Sequence, residues 1–300
     1  MVDEIKETIQ IPVPNVFVIG IDGSEGSHNA FEVVTKDLWR VNVDKIVLVH
    51  IYNSSKEHEL GPTYKPKYIY NKYISELDKL VPKSDYSFIM EDRKTNENVL
   101  EQVYEIASRN NGTLLVIGFR GYKGAKNRPD ELSKAVTYLV HKPQIPCLVI
   151  KELTSRMYRV NGQFKWLVCL ENLESKSFKA LENFMKFIDV ENDSVHGINV
   201  YQENKRVKGS KCPVQSIFEE KMNNLGIKNF EFIPILQLET EETIYSTIQR
   251  WVAEHLSQES HWIDFMITGY NPQKYNFNRN ATNTTIEILK NVQCNLFFDH

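Results

Sequence analysis

The sequence lacks the features that mark several classes of protein. No apolar run approaches the ~20 residues that cross a bilayer, and the opening MVDEIKETIQ has no apolar core of the kind a signal peptide needs. The formal net charge is only −3 over 300 residues, which gives no global field toward nucleic acid or an anionic membrane. We therefore expect a cytoplasmic protein with neither a nucleic-acid nor a membrane partner.

Cysteine is also scarce. The four cysteines, Cys147, Cys169, Cys212 and Cys294, form no Cys-x-x-Cys pair and have no histidine at metal-ligand spacing. Three of them lie in apolar, strand-like runs. This pattern favours buried free thiols and predicts no metal site.

Catalytic motifs are missing as well. The segment Gly121–Lys126 has neither the spacing nor the ending of a phosphate-binding Walker loop, and there is no Gly-x-Ser-x-Gly or His-Glu-x-x-His sequence. No motif places a nucleophile beside His28 or His50, so we interpret both histidines as structural. The sequence predicts a protein that is not an enzyme.

The first half of the chain alternates strand-like and helix-like segments. The helical patterns cover Ser27–Trp39, Tyr70–Leu80, Asn98–Ser108 and Leu132–Val140. Such alternation predicts an α/β fold with a doubly wound parallel sheet covered on both faces. The predicted strands are Val16–Ile21, Ile46–Ile51, Tyr86–Met90, Leu114–Ile117 and Cys147–Ile150.

The second half repeats the first at an offset close to 150 residues. Strand-like runs recur at Trp166–Leu170, Asp193–Tyr201, Phe265–Gly269 and Cys294–Phe298. We therefore predict two domains in tandem, at 1–152 and 165–300, with a short linker at 153–164. Closely joined domains of this kind are expected to dock as an intramolecular pseudo-dimer, because each parallel sheet leaves an edge strand to cover.

Three separated motifs in the first half resemble the universal stress protein family. They are Gly20-Ile-Asp-Gly-Ser-Glu25 with the following Ser27-His-Asn-Ala30, then Leu48-Val-His-Ile51, and finally Leu115-Val-Ile-Gly-Phe-Arg-Gly121 with Ile145-Pro-Cys-Leu-Val-Ile150. The resemblance covers residues 14–152. It implies two five-stranded sheets of the adenine nucleotide alpha-hydrolase-like, Rossmann-like type, the second copy being degenerate.

The resemblance also implies a site for ATP or AMP in the first domain. Asp22 would face the ribose and adenine, and Ile51 would lend backbone contacts to the base. Gly118 and Gly121 would let the chain approach the phosphates. In family members that bind ATP, a Gly-Ser or Gly-Thr pair follows nine residues after the second glycine; here Glu131-Leu132 stands there. A loop two residues longer would put Ser133 and Lys134 at the phosphate. Alternatively, Pro129-Asp-Glu131 forms the first turn of a helix and repels phosphate.

The second domain departs further from the family pattern. Glu171 and Asn172 replace the aspartate and its glycine, and Pro272 follows Gly269 where a phosphate would need a backbone N–H. No nucleotide is expected there. Two hypotheses remain: a non-catalytic interaction or structural module with at most one nucleotide site, or an ATP- or AMP-binding stress regulator whose occupancy controls partner binding. Expected partners are other proteins, with a larger assembly as one setting. The edge strands at Cys147 and Cys294 are the natural pairing surfaces, and if they pair within one chain the protein should be a monomer.

Overall fold

The computed structural model describes residues 13–94, 98–121, 134–141, 145–170, 176–201, 212–238, 243–256, 263–269, 284–292 and 294–299. None of the helices in these ranges combines the length and apolar character that a membrane crossing requires.

In the part of the first half that the structure describes, five strands alternate with four α-helices. Its first helix, α1, continues into a single π-helical turn at Val34–Leu38, which gives the second part of the helix predicted at Ser27–Trp39 a different geometry. The elements are β1 (Val16–Gly20), α1 (Glu25–Val33), β2 (Lys45–Tyr52), α2 (Pro66–Leu80), β3 (Tyr86–Asp92), α3 (Val99–Arg109), β4 (Leu114–Gly118), α4 (Lys134–His141) and β5 (Cys147–Ile150).

The second half repeats this order. The sequence predicted four of its strands and missed the fifth, β8, in which Glu231 and Pro234 interrupt the apolar alternation. The elements are β6 (Lys165–Leu170), α5 (Lys176–Phe184), β7 (Ser194–Tyr201), α6 (Pro213–Asn224), β8 (Asn229–Leu236), α7 (Ile244–Leu256), β9 (Phe265–Gly269), α8 (Thr284–Asn291) and β10 (Asn295–Asp299).

All ten strands belong to one sheet, in the order β3-β2-β1-β4-β5-β10-β9-β6-β7-β8. Neighbours within each half are parallel, which confirms the predicted doubly wound, five-stranded arrangement. The two five-stranded sheets meet edge to edge through an antiparallel pair, β5 with β10, in which Leu148 lies opposite Phe297. Two buried apolar clusters, one on each face, run across this seam.

The helix α2 differs from its prediction. It begins at Pro66, four residues before the predicted start, because proline at the first helical position loses no hydrogen bond. The residues that α2 buries against the sheet also differ from those that the sequence predicts. The helical spacing of the sequence predicts an inward face made of Tyr70, Tyr73, Ile74, Leu77 and Leu80. Tyr70 and Leu80 are instead 38% and 45% exposed, whereas Ile69, Tyr73 and Leu77 are buried.

A buried aspartate directly precedes the second strand of each half. Asp44 accepts hydrogen bonds from the backbone N–H groups of Asn15 (2.7 Å) and Arg40 (3.0 Å). In the equivalent positions of the second half, Asp193 accepts from the N–H groups of Phe164 (3.0 Å) and Asp189 (2.9 Å). Each carboxylate therefore ties the start of its half's first strand to the turn before the second, and satisfies backbone donors that would otherwise be buried unpaired.

The segment between β5 and β6 is held by ion pairs. Arg156 binds Asp193 through both guanidinium nitrogens, at 2.5 and 2.8 Å, and its backbone N–H donates to Asp37 of the first half. Arg159 binds the buried carboxylate of Asp264, which also accepts from the Thr154 hydroxyl. The segment predicted as a linker thus contacts a half-buried aspartate of the first half and two buried aspartates of the second.

Candidate functional site

The candidate site lies at the carboxyl ends of β1 and β4. The chain leaves β1 toward β2 on one side and later returns to β4 on the other, so the strand order reverses between β1 and β4. In open α/β sheets, this reversal opens a crevice where ligands bind. Asp22 follows β1 and Gly121 follows β4, which places both at this crevice.

The structure brings Asp22 and Gly121 into contact. A Cβ atom added to Gly121 would lie 2.5 Å from Oδ2 of Asp22, so only glycine fits there without moving the carboxylate. The other oxygen, Oδ1, accepts hydrogen bonds from the backbone N–H (3.0 Å) and hydroxyl (2.5 Å) of Ser24. Ser24 also caps α1, accepting from the N–H of Ser27. The carboxylate is therefore held at the entrance of the crevice, beside the first turn of α1.

Gly118 has a packing role that both halves share. A Cβ atom on Gly118 would lie 2.3 Å from the carbonyl carbon of Gly26 in the first turn of α1. In the second half, a Cβ on Gly269 would lie 2.4 Å from the backbone of Lys176 in α5. Because the half with the weaker family resemblance keeps the same close approach, helix packing alone accounts for glycine at both positions.

The end of β2 supplies two further side chains, on opposite faces of the sheet. Ile51 is half-buried and packs with the cluster on the α3 side. His50 is buried, and its Nδ1 lies 2.7 Å from the carbonyl oxygen of Ile21, the residue before Asp22. A carbonyl oxygen only accepts hydrogen bonds, so the proton is on Nδ1. Burial is the largest cause that lowers the pKa of His50, and the hydrogen bond to Ile21 opposes it.

The phosphate end of the predicted site stays a prediction. Ser133 and Glu131 lie outside the described residues, and so does the side chain of Lys134, the first residue of α4. The structure therefore places Asp22, Ile51, Gly118 and Gly121 around one end of the sheet and leaves the Ser133 and Lys134 interpretation open.

The equivalent crevice of the second half opens at the opposite edge of the sheet, because β5 and β10 are antiparallel. There the N–H of Gly269 donates to the hydroxyl of Ser177 at 3.0 Å, and the side-chain amide of Asn199 donates to the carbonyl of Leu170 at 2.7 Å. Glu171, Asn172 and Pro272, on which the expectation of no nucleotide rests, lie outside the described residues.

Sequence comparison identifies no relative: no protein-family model matches the chain, and neither does any curated protein. Solved structures do match. A universal stress protein from Archaeoglobus fulgidus superposes with a TM-score of 0.60 at 16% identity, covering 95% of this chain and 97% of its own. A functionally unknown protein from Pseudomonas aeruginosa superposes with a TM-score of 0.63 at 9% identity, covering 95% and 92%. The chain therefore has the fold of universal stress proteins over both halves, which confirms the resemblance read from its motifs at the level of fold.

Proposed function

We propose that this chain is a non-catalytic module of the universal-stress-protein type, with a single adenine-nucleotide site in the crevice of its first half. The observation that carries this proposal is the contact between Asp22 and Gly121 at the point where the strand order reverses. A carboxylate there accepts hydrogen bonds from ribose hydroxyls, and a glycine beside it lets the backbone approach the ligand. We propose ATP or AMP as the ligand.

A nucleotide that binds here must replace one of the hydrogen bonds that the Asp22 carboxylate accepts in the free protein. Ser24 now donates two hydrogen bonds to Oδ1, and Gly121 presses against Oδ2. A ribose hydroxyl that reaches this carboxylate replaces the Ser24 hydroxyl as donor, while the Ser24 N–H keeps the side chain in place. The exchange of one hydroxyl donor for another costs little, because the Ser24 hydroxyl has a second acceptor, the carbonyl oxygen of Arg120, at 3.4 Å.

The test is the melting temperature of the full chain with and without millimolar ATP or AMP. We expect a rise of several degrees, because a ligand at ~100 times its Kd stabilises the folded state by about 2.7 kcal/mol. Asp22→Asn should abolish the rise. Asp92→Asn is the matched control, because Asp92 likewise accepts from the N–H and hydroxyl of one serine, Ser54, but lies at the end of the edge strand β3.

The control variant should keep the full response to nucleotide. If neither nucleotide shifts the wild-type transition, or if Asp22→Asn and Asp92→Asn respond alike, the nucleotide site is contradicted.

A second candidate function is protein interaction, favoured by an apolar tip on the segment between the halves. Met157, Tyr158 and Val160 are 71%, 63% and 84% exposed, although their neighbours Arg156 and Arg159 are fixed by ion pairs to buried carboxylates. A fixed backbone lowers the conformational entropy lost when such side chains enter an apolar groove of another protein.

A photo-crosslinking amino acid at position 157 tests this candidate. The chain should form a defined adduct with one other protein from that position, and Val160→Ser with Tyr158→Ser should abolish it. The matched control is the same probe at Lys56, an exposed position in the loop after β2, which should give no adduct. An adduct between two copies of this chain would contradict a partner of different sequence.

A further inference from the structure

We infer that His50 is a recognition residue of the first-half crevice, whose Nε2 accepts a hydrogen bond from an N–H or O–H group of the bound nucleotide. The inference rests on the proposed function and adds a selectivity to it. It assigns to His50 a contact with ligand in place of the purely structural role that the sequence indicated.

The tautomer of His50 follows from its fixed side. Nδ1 lies 2.7 Å from the carbonyl oxygen of Ile21, so Nδ1 carries the proton and donates it. In the neutral ring, Nε2 then carries a lone pair and can only accept. Burial lowers the pKa of the imidazole, which keeps the ring neutral near pH 7.

The free side of the ring is the unusual feature. His50 is only 5% exposed, and its Nε2 is buried without a hydrogen-bond partner among the residues that the structure describes. A buried acceptor without a donor is unfavourable, and native proteins pair nearly all such groups with protein, water or ligand. A donor from outside the chain would satisfy it.

The second half shows the same position with its acceptor engaged. Asn199 occupies in β7 the place that His50 occupies in β2, and its amide N–H makes the equivalent bond to Leu170, also at 2.7 Å. Its carbonyl oxygen, however, faces the thiol of Cys212 at 3.9 Å, a weak donor supplied by the chain itself. The half proposed to bind no nucleotide thus fills this contact internally, and the half proposed to bind one leaves it unfilled.

Asp22 and His50 together define the chemistry of the ligand. Asp22 follows Ile21 directly, and its charge is close enough to raise the pKa of His50 against the effect of burial. Asp22 offers a carboxylate at the crevice, and His50, bonded to the residue before Asp22, offers a neutral imidazole nitrogen as a second acceptor. Two acceptors on neighbouring strands favour ligands that offer donors, such as ribose hydroxyls or the amino group of a base, over ligands that offer only carbonyl or phosphate oxygens.

The test is a calorimetric titration of the wild-type chain and His50→Asn with AMP and three analogues that each lack one donor. The analogues are 2′-deoxy-AMP, 3′-deoxy-AMP and the monophosphate of purine riboside, which has no amino group. Asparagine is the matched substitution, because Asn199 shows that it fits this strand position and keeps the bond to the preceding strand. Its acceptor ends closer to the backbone and cannot reach where Nε2 reaches.

We expect AMP to bind His50→Asn about tenfold more weakly than wild type. One analogue should bind the wild-type chain about tenfold more weakly than AMP does, and should bind His50→Asn as tightly as AMP binds that variant. The group missing from this analogue is the donor that pairs with Nε2. As an independent readout, the ¹⁵N resonance of the unprotonated Nε2 should move upfield when AMP is added to the wild-type chain.

Two results would overturn the inference and are distinguishable from each other. If AMP binds wild type and His50→Asn equally and leaves the Nε2 resonance unchanged, His50 is structural while the nucleotide site stands. If AMP does not bind the wild-type chain, the proposed function itself fails and the inference fails with it.

Discussion

The two halves of the molecule keep the same backbone framework and differ in the side chains that complete it. In both, a buried aspartate beside the second strand accepts from two equivalent backbone N–H groups. The arginine that pairs with the aspartate differs: Arg40 comes from the turn before Asp44 within the first half, whereas Arg156, which pairs with Asp193, comes from the segment between the halves.

A similar exchange occurs where the first strand begins. The N–H of Val16 donates to the hydroxyl of Thr113, whereas the equivalent N–H of Lys165 donates to the carboxylate of Asp264, which needs Arg159 as a counter-ion. The second half therefore buries more charge than the first and depends on the connecting segment to neutralise it. The comparison shows that a buried backbone N–H group determines where an acceptor must lie, but not which residue supplies that acceptor.

The largest expected effect tests this dependence. Arg156→Ala leaves the carboxylate of Asp193 buried without its counter-ion and should lower the free energy of unfolding by about 3–4 kcal/mol. Each aspartate keeps one side-chain donor in the variant, Asn15 for Asp44 and Trp166 for Asp193. Arg40→Ala should nevertheless cost less, about 1–2 kcal/mol, because the Arg40 side chain is more exposed than that of Arg156 (32% against 24%) and lacks the contact that Arg156 makes with the Phe164 ring. Urea denaturation of both variants measures the difference, and equal losses would contradict it.

The glycines at the crevices give the next effect. Gly118→Ala and Gly269→Ala each place a Cβ against helix backbone, so both should destabilise by about 2–3 kcal/mol. Among the described residues, the Cβ of Gly121→Ala meets only the carboxylate of Asp22, a side chain that can move, so the variant should cost under about 1 kcal/mol yet weaken nucleotide binding. Thermal unfolding with and without AMP separates the two kinds of glycine. A stable Gly118→Ala that has lost only its AMP response would show that Gly118 serves the ligand instead.

The seam between the halves provides a pH-dependent prediction. Burial lowers the pKa of Lys151 to about 8, from an ordinary value of 10.5, although its amine contacts the carbonyl oxygens of Ile288 (3.3 Å) and Val292 (2.5 Å). Between these pH values Lys151 is protonated in the unfolded chain and largely neutral in the folded one, so the unfolded chain binds more protons than the folded chain. The free energy of unfolding of the wild type should therefore rise as the pH rises from about 8 to 10.5. Lys151→Met should remove this rise and stabilise the protein at pH 7 by about 1–2 kcal/mol, because the lost carbonyl contacts offset part of the gain. Urea titrations at pH 7, 9 and 10.5 measure both effects, and a Met variant that keeps the rise would exclude Lys151 as its source.

The smallest effect, on labelling rather than stability, concerns the thiols. Burial raises the pKa values of Cys147 and Cys294, at the seam, to about 12, whereas Cys212 is partly exposed. A thiol reagent at pH 8 should therefore modify Cys212 first, and the seam thiols only after β5 and β10 separate. Mass spectrometry of each cysteine over time measures the order. Seam thiols that react before Cys169, buried inside β6, would show that the halves part before the second half unfolds.

Local patterns predicted most of the fold. The strand β5 was predicted at its observed bounds, and β1, β2, β3 and β4 to within two residues. The buried strands β1, β2, β4 and β5 are continuous apolar runs, and the edge strand β3 was found because it opens with the apolar-rich run Tyr86–Met90. The strand β8 was missed, since an edge strand needs less apolar surface and tolerates Pro234. The joining of the two sheets through β5 and β10 depends on contacts between residues about 150 positions apart, which no local periodicity encodes. The family resemblance, not the periodicity, indicated these two edge strands as pairing surfaces.

The candidate site was predicted in part. Its backbone positions follow from the topology, so Asp22 and Gly121 could be placed at one crevice from sequence. Their contact could not, because it depends on the rotamer that Ser24 imposes on the carboxylate. The open side of His50 was also beyond sequence, since a histidine in an apolar strand looks the same whether one or both of its nitrogens are paired. The fold distinguishes the two cases directly, because it pairs Nδ1 with the Ile21 carbonyl and leaves Nε2 without a partner among the described residues.

The antiparallel join of β5 and β10 has an evolutionary consequence. Two identical chains paired through the same edge would carry every substitution twice, once on each side of the dimer axis. In a single chain that contains both halves, a substitution occurs in one half only, and the equivalent residue of the other half can remain unchanged. Selection can then act separately on His50 and on its counterpart Asn199. One crevice can retain the residues that contact a ligand, while the residues of the other pack against the protein itself.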